Sequence, residues 1–569
     1  MAPPAPTDST LVRSASLWYD STVDLPEVTV RADDIESKWF DRLDLSRWIP
    51  LATGVVLFIG IALRLRMYWF NRSLWFDETL LTLNILHRPF SELVPPLQYH
   101  QGAPFGFLVL EKAAVLAFGS SEYALRLVPL LAGIAALVLL YRLGRRMLPA
   151  PAALAAVGLF AFSVQQIGYS TDVKPYSMDT AVALLVTLTA IRAAETTRRR
   201  DLVILALTGA AAVWFSYPAA FVLAGTGICL AAAALSRRHW GNVGKLAVVG
   251  LAWTVSCVAC YVETLRGVAQ DTFVRDIWSA AFVPWDASYW TLEWIVDQTL
   301  GVFHAPVGMT LSGLGAFTFI AGWMAGDDQW RLRRWMLASP LAVAFAGAAL
   351  HRYPFDGRFL NFAVPAILIV VSLGIARVAS ATGRTAPFVG LALVGLMFLH
   401  PLRDTAYLAA RPTGFEEIRP VLDYVRQHEV AGDALYLYWR TEPAFAYYTE
   451  RWKDDDRLPN AKIIHTHPGA PVASTSAGAD RRAQDELDAL EVMSWADKSA
   501  LFLKDLDALR GQSRVWVVFY HVRVHDGIDE ERWLRGQLEQ LGKENDRITL
   551  PGASAYEYDL SAASVHQTG

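Results

Sequence analysis

The sequence predicts a polytopic α-helical membrane protein of about eleven spanning helices, followed by a C-terminal α/β domain. Three observations carry this reading. Of the 569 residues, 53% are hydrophobic and 19% are charged, whereas soluble globular chains are about 45–50% apolar and about 25% charged. The apolar residues lie in runs long enough to cross about 30 Å of hydrocarbon. After about His400 those runs stop, and helix and strand signals alternate instead. The net charge of −4 gives no general attraction for nucleic acid. The three cysteines (Cys229, Cys257 and Cys260) all sit in apolar runs without a basic neighbour, so they read as packing residues.

Residues 1–47 are polar, contain Pro and Asp, and lack the short apolar core of a signal peptide. They read as a disordered cytoplasmic tail. The membrane domain is expected over 48–401. Its windows are Trp48–Phe70, Tyr123–Tyr141, Pro151–Gly168, Ser177–Ala194, Leu202–Phe215, Ala219–Leu235, Leu246–Tyr261, Phe303–Ala325, Met336–Leu350, Phe359–Ile375 and Ala386–Leu399. Basic clusters fall two spans apart: Arg142, Arg145 and Arg146; Arg192 with Arg198–Arg200; Arg237 and Arg238; Arg331, Arg333 and Arg334; Arg377 and Arg384. Short basic loops mark the cytoplasmic side, so the parity is consistent with a protein of the inner (plasma) membrane. That parity excludes Phe105–Phe118 as a single crossing. With Glu111 and Lys112 in mid-run, it reads as an interfacial or re-entrant helix at the outer surface.

The same parity places Asn71–Gly102, Tyr169–Tyr176, Arg266–Leu300, His351–Arg358 and the domain 402–569 outside. The last of these reads as a small α/β unit with a mainly parallel sheet. Helices are expected at Phe415–Gln427, Asp480–Leu509 and Glu530–Leu541. Strands are expected at Ala434–Tyr438, Ala461–His465, Arg514–Tyr520 and Ala555–Asp559, with a mobile loop over Thr466–Ala479.

Three outer loops hold the chemistry-bearing residues. The first carries Trp75-Phe76-Asp77-Glu78 directly after a span. An acid at the hydrocarbon boundary is costly unless it pairs, faces water or holds a metal. Asp77 therefore suits a general base towards a hydroxyl, a ligand for Mg or Mn, or an N-cap for the helix that follows. The second loop, Tyr169 to Tyr176, sets Asp172 and Lys174 between two tyrosines. It suits phosphate neutralisation by Lys174 and acceptor or metal contact by Asp172, or else a salt-bridged interfacial turn. The third, His351 to Phe359, places Arg358 at the edge of a span with Arg352 as a helper. Arg358 can fork onto a phosphate or snorkel to headgroups, and Arg64 and Arg66 allow the same two readings. All three loops fall on one face. A phosphate leaving group needs cations and an attacking hydroxyl needs a base, and this face offers both. No nucleotide-sugar pool exists outside the cell, so a lipid-phosphate donor is the economical one.

These residues resemble the GT-C glycosyltransferases, in the branch of protein O-mannosyltransferases and the lipid A aminoarabinose transferase. The resemblance spans Trp48 to Leu399. It rests on Trp75-Phe76-Asp77-Glu78, on His100-Gln101-Gly102-Ala103-Pro104, on Phe118 to Leu127, on Tyr169 to Tyr176, and on Tyr353 with Gly357-Arg358. It implies Asp77 as catalytic base with Glu78 and Asp172 in support. It also implies Lys174 and Arg358 on the donor phosphate, and His100, Tyr169, Tyr176 and Arg352 around them. Lys174 stands where Arg is commoner, and the family's His-Pro-Pro is stretched here to His-Gln-Gly-Ala-Pro. The implied reaction is inverting transfer of a sugar from a polyprenyl-phosphate donor to a glycan, lipid or protein acceptor, with a divalent metal as an optional cofactor. The rival readings are a transporter or flippase of lipid-linked saccharide, which would carry midplane charges and internal repeats, and a non-catalytic envelope-assembly protein.

Overall fold

The computed structural model describes residues 47–94, 96–285, 289–325, 328–450, 462–465, 477–525 and 527–561. The expected N-terminal tail lies outside the described residues, as does most of the loop expected over Thr466–Ala479.

Among the described residues, seven helices are long and apolar enough to cross a membrane: Ile49–Phe70, Glu122–Met147, Tyr176–Thr196, Ala219–Ser236, Trp240–Ala269, Gly357–Ala381 and Phe388–Ala410. Each falls on one of the eleven windows. The other four windows fall on helices that are shorter or more charged: Ala150–Ala161, Arg199–Phe215, Ser312–Trp323, and Asp328–Ala349 with its three arginines. Large apolar side chains such as Phe58, Leu207, Val248, Leu251, Phe388 and Leu391 are exposed along these helices. A soluble surface would not carry so much apolar area. The chain is a multi-pass membrane protein.

Packing among the helices relies on small residues. Helices Ser312–Trp323 and Val364–Ala381 approach so closely that a Cβ on Gly374 would lie 1.7 Å from the Thr318 carbonyl oxygen, and one on Gly322 would lie 2.0 Å from that of Val370. Only glycine permits that approach, the usual device for joining helices in lipid. At one face the basic loops meet, with Glu195 taking Arg146 and, at 3.0 Å, Arg333. Three loops far apart in sequence are thus gathered at one end of the bundle, as the charge parity predicts.

Phe105–Phe118 forms a helix with the predicted bounds. Its 14 residues are too few to cross the hydrocarbon. Its Lys112 ammonium donates to the carbonyls of Ile85 and Leu86, at 2.8 and 2.9 Å, at the end of helix Phe76–His87. A charge in an apolar run is explained here by the helix terminus it caps.

The C-terminal region folds around five strands: β1 (Ala434–Leu437), β2 (Lys462–His465), β3 (Val515–Tyr520), β4 (Lys543–Leu550) and β5 (Ala553–Asp559), in the order β2-β1-β3-β5-β4. β1 runs parallel to β2 and β3, but β5 is antiparallel to both β3 and β4. The sheet is therefore mixed, correcting the mainly parallel expectation. The source of the error is β4, whose Lys-Glu-Asn-Asp-Arg start hides it. It is an edge strand, where charges discourage pairing with other chains, and Gly552 at φ +64° turns it into β5. The helix expected over Asp480–Leu509 is two helices, Ala477–Val492 and Trp495–Leu509, the second started by Ser494 accepting from the Asp497 amide at 3.2 Å. Helix Glu442–Glu450 gave no sequence signal strong enough to be expected.

This α/β module sits directly on the first predicted outer loop. The Tyr448 hydroxyl accepts from the Leu74 amide and the Tyr520 hydroxyl donates to the Leu74 carbonyl, both at 2.9 Å. Glu417 accepts from the Ser73 amide and hydroxyl, and Glu416 from the Phe76 amide at 2.8 Å. The Phe76 ring stacks on His521 with centroids 4.6 Å apart. Leu74, Leu81 and Ile85 share one buried apolar cluster with Val421, Tyr448 and Trp516. The backbone approaching Asp77 is thus clamped from the soluble side.

Candidate active site

The chain leaves the first span at Asn71, whose φ of 50° ends the helix in the left-handed region. Four residues of extended chain follow, and helix Phe76–His87 begins. Glu78, at the third position of that helix, accepts from the Trp75 amide at 3.1 Å. Capping therefore falls to Glu78, and Asp77 is left to point outwards.

Around Asp77 the three predicted loops meet. Lys174 Nζ lies 3.0 Å from Asp77 Oδ1, and Arg358 Nη1 lies 3.2 Å from Oδ2. Gln101 Nε2 donates to Asp77 Oδ1 at 3.2 Å while its Oε1 accepts from Lys174 at 2.6 Å, so this amide bridges base and cation. The Arg358 guanidinium lies among four rings, Trp75, Tyr176, Trp278 and Phe359, at 5.2–5.9 Å from their centroids. Tyr169 meets Tyr176 edge to face at 5.1 Å. Burial works against the charge on Asp77, but Lys174 and Arg358 outweigh it and hold the carboxyl down to about 2. Burial lowers the Lys174 ammonium from its ordinary value.

Local folding explains each placement. Pro175 precedes the first turn of helix Tyr176–Thr196, as its missing N–H predicts. Arg358 is the second residue of a 3₁₀ turn, Gly357–Ala363, that is pinned by the fully buried Asn361. The Asn361 amide donates to the Tyr176 carbonyl at 2.9 Å and accepts from Gln166 at 2.6 Å. Gln101 is aimed by a turn in which Tyr99 and His100 both take positive φ, of 58° and 52°. Asn84 holds that turn on both sides, accepting from the Gln98 amide at 2.8 Å and donating to its carbonyl at 3.2 Å.

Five of the residues singled out in the sequence stand elsewhere. Glu78 is fully buried and faces away from Asp77. It pairs with Arg72 at 3.3 Å and Arg126 at 3.0 Å and accepts from the Val173 amide at 2.7 Å. Asp172 is bound by Arg72, and burial lifts its carboxyl to about 6 against the pull of that arginine. Both acids therefore position the loops and do not join the cluster around Asp77. His100 turns the other way, pairing with Asp271 and, at 2.8 Å, with Asp488 of the α/β module. Arg352 is exposed and does not join the cluster. Arg64 is fully buried within the helix packing, donating to the Gly60 carbonyl at 2.9 Å.

Arg72, Arg126 and Gln101 are the residues that sequence reasoning missed. Arg126 also donates to the carbonyls of Arg72 and Ser73, at 2.6 and 3.1 Å, locking the approach to Asp77. Arg72 and Arg126 border apolar spans as snorkelling cations do, so nothing local set them apart. Gln101 carries no charge to notice. As for a metal, Asp77 and Asp172 already face cations, and among the described residues no group of three or more His, Cys, Asp and Glu could hold one. The donor set does not fit a divalent ion.

Residues 102–281 match the family pattern described as dolichyl-phosphate-mannose-protein mannosyltransferase. That stretch includes Phe118–Leu127 and the Tyr169–Tyr176 loop but neither Asp77 nor Arg358. Comparison with curated protein sequences finds no match. Among solved structures, ArnT from Cupriavidus metallidurans bound to undecaprenyl phosphate aligns with a TM-score of 0.51 and 13% identity, over 90% of this chain and 98% of that one. The apo form of the same protein gives 0.49 at 13% identity, over 92% and 99%. The archaeal oligosaccharyltransferase AglB from Archaeoglobus fulgidus gives 0.43 at 12% identity, over 93% and 76%. From the first span to the docked α/β module, the chain has the fold of the GT-C glycosyltransferases.

Proposed function

We propose that the protein is a membrane glycosyltransferase that moves one sugar from a polyprenyl phosphate to a hydroxyl of a glycan, lipid or protein acceptor. The reaction would take place on the outer face of the plasma membrane. The observation that carries this reading is the meeting of Asp77 with Lys174 and Arg358 from three separate loops. The undecaprenyl phosphate in the ArnT structure of the same fold supports the donor class.

In the free protein the two cations neutralise Asp77. A donor phosphate entering between Lys174 and Arg358 competes for both, and Arg358 offers the planar fork that suits a phosphate. Asp77 then loses its counter-ions and becomes more basic, so donor binding prepares the base. The acceptor oxygen, giving its proton to Asp77, bonds to the anomeric carbon as the carbon–oxygen bond to phosphate breaks. The electron pair leaves on the polyprenyl phosphate, whose charge Lys174 and Arg358 stabilise. A single displacement of this kind inverts the anomeric centre.

The test is transfer of radiolabelled sugar from polyprenyl-phosphate donors by the protein in membranes, with the product linkage read by NMR. Wild type is expected to transfer with inversion, and Asp77→Asn to lose about 10²–10⁴-fold in rate while accumulating normally. Failure of wild type across a broad donor and acceptor panel would sink the enzyme reading in favour of a transporter.

A further inference from the structure

A cavity of about 320 Å³ lies between helix Ile418–His428 of the α/β module and the predicted outer ends of the membrane helices. Its lining includes Asn71, Glu122, Tyr123, Arg419, Asp423 and Arg426, with Tyr448 behind them. None of these belongs to the cluster around Asp77. The volume is at the lower end of the range for small-molecule sites, about 300–1,000 Å³.

The charges of this lining cancel. Arg419 pairs with Glu122 at 2.7 Å and also donates to the Asn71 carbonyl, and Arg426 lies 3.7 Å from Asp423. Two cations balanced by two carboxylates do not select an anion. They present fixed donors beside fixed acceptors, the pattern that meets neighbouring hydroxyl groups, each of which both gives and takes a hydrogen bond. The rings of Tyr123 and Tyr448 add apolar faces with polar tips. The position narrows the ligand further. Tyr123 is 38% exposed and its ring meets Tyr68 at 5.3 Å, next to the exposed Trp69 at the end of the first span. Such an aromatic group marks the membrane–water boundary.

We infer that this cavity binds a neutral saccharide held at the membrane surface, one to two sugar units of the acceptor. The role as acceptor rests on the transferase reading above; saccharide binding itself does not. The experiment uses the full chain in POPC nanodiscs. Fluorophore-tagged mannotriose, maltotriose and chitotriose report free-glycan binding by anisotropy, and native mass spectrometry compares retained monoglucosyl-diacylglycerol with POPG. Saturable binding in either saccharide arm is expected. It should be weakened at least about tenfold by Asp423→Ala with Arg426→Ala, and by the space-filling Asp423→Trp. Thermal unfolding confirms that these variants fold, since both positions are on the cavity rim. Asp77→Asn should bind saccharide like wild type, which separates this site from the reaction centre. Absence of saturable binding by any saccharide probe, binding unmoved by both variants, or retention of POPG in place of the sugar lipid would each overturn the inference.

Discussion

Asp77 and Glu78 are neighbours in the chain and opposite in environment. Asp77 keeps 22% of its side chain exposed and draws its partners from loops that could be displaced by a ligand. Glu78 is fully buried, with two arginines and two backbone amides on its oxygens. One turn of helix thus sends one carboxylate to the cations of the neighbouring loops and its neighbour to the frame that aims it. The lesson is that an acid pair at a membrane edge can divide its labour between chemistry and architecture.

The comparison is broken most severely at Glu78. Glu78→Ala leaves Arg126 buried without its carboxylate and Arg72 with Asp172 alone, and breaking such a buried pair costs about 3–5 kcal/mol. The variant is expected to accumulate poorly and to unfold at lower temperature in detergent, whereas Asp77→Ala, which leaves Lys174 its Gln101 contact, should lose much less in the same assay. An equal loss from both would erase the distinction drawn between them.

A smaller effect is expected on the cation side. Arg358→Lys keeps the charge and loses the planar fork and its ring contacts. The Michaelis constant for the donor should rise about 10–100-fold, with the maximal rate changed much less. If the rate fell and the constant did not move, Arg358 would act on the transition state alone.

The smallest effect concerns the strap at His100. Burial disfavours its charge, but Asp488 and Asp271 outweigh burial and raise the imidazole to about 9. A folded-state value raised above the ordinary value of about 6.5 contributes stability that is fully present below about pH 6.5 and lost as the pH climbs through about 9. Protease cleavage between the membrane region and the α/β module should therefore increase over that window. In His100→Gln the pH dependence should flatten. A wild-type profile already flat between those values would remove the strap.

Much of this was legible in the sequence because membranes make some residues expensive. Asp77, Lys174 and Arg358 stood out as charges at the ends of apolar runs, and the basic loops fixed which ends share a face. What escaped notice depends on pairing across distance. Arg72 and Arg126 differ from snorkelling cations only through Glu78 and Asp172. Gln101 reaches Asp77 only because Asn84 holds the turn before it. Lys112 looked anomalous until its partners, the carbonyls of Ile85 and Leu86, were in view. The docking of the α/β module through Tyr448, Tyr520, Glu416 and Glu417 joins residues hundreds of positions apart, and no local pattern encodes it. The edge strand Lys543–Leu550 was hidden by the charges that protect it.

The most direct test compares sugar transfer per folded molecule for Asp77→Asn and Glu78→Gln, with folded protein counted by size-exclusion in detergent. Asp77→Asn is expected to fold like wild type and to lose about 10²–10⁴-fold in transfer, while the folded fraction of Glu78→Gln is expected to transfer within about tenfold of wild type. Retention of transfer by well-folded Asp77→Asn would contradict the role of Asp77 as the base.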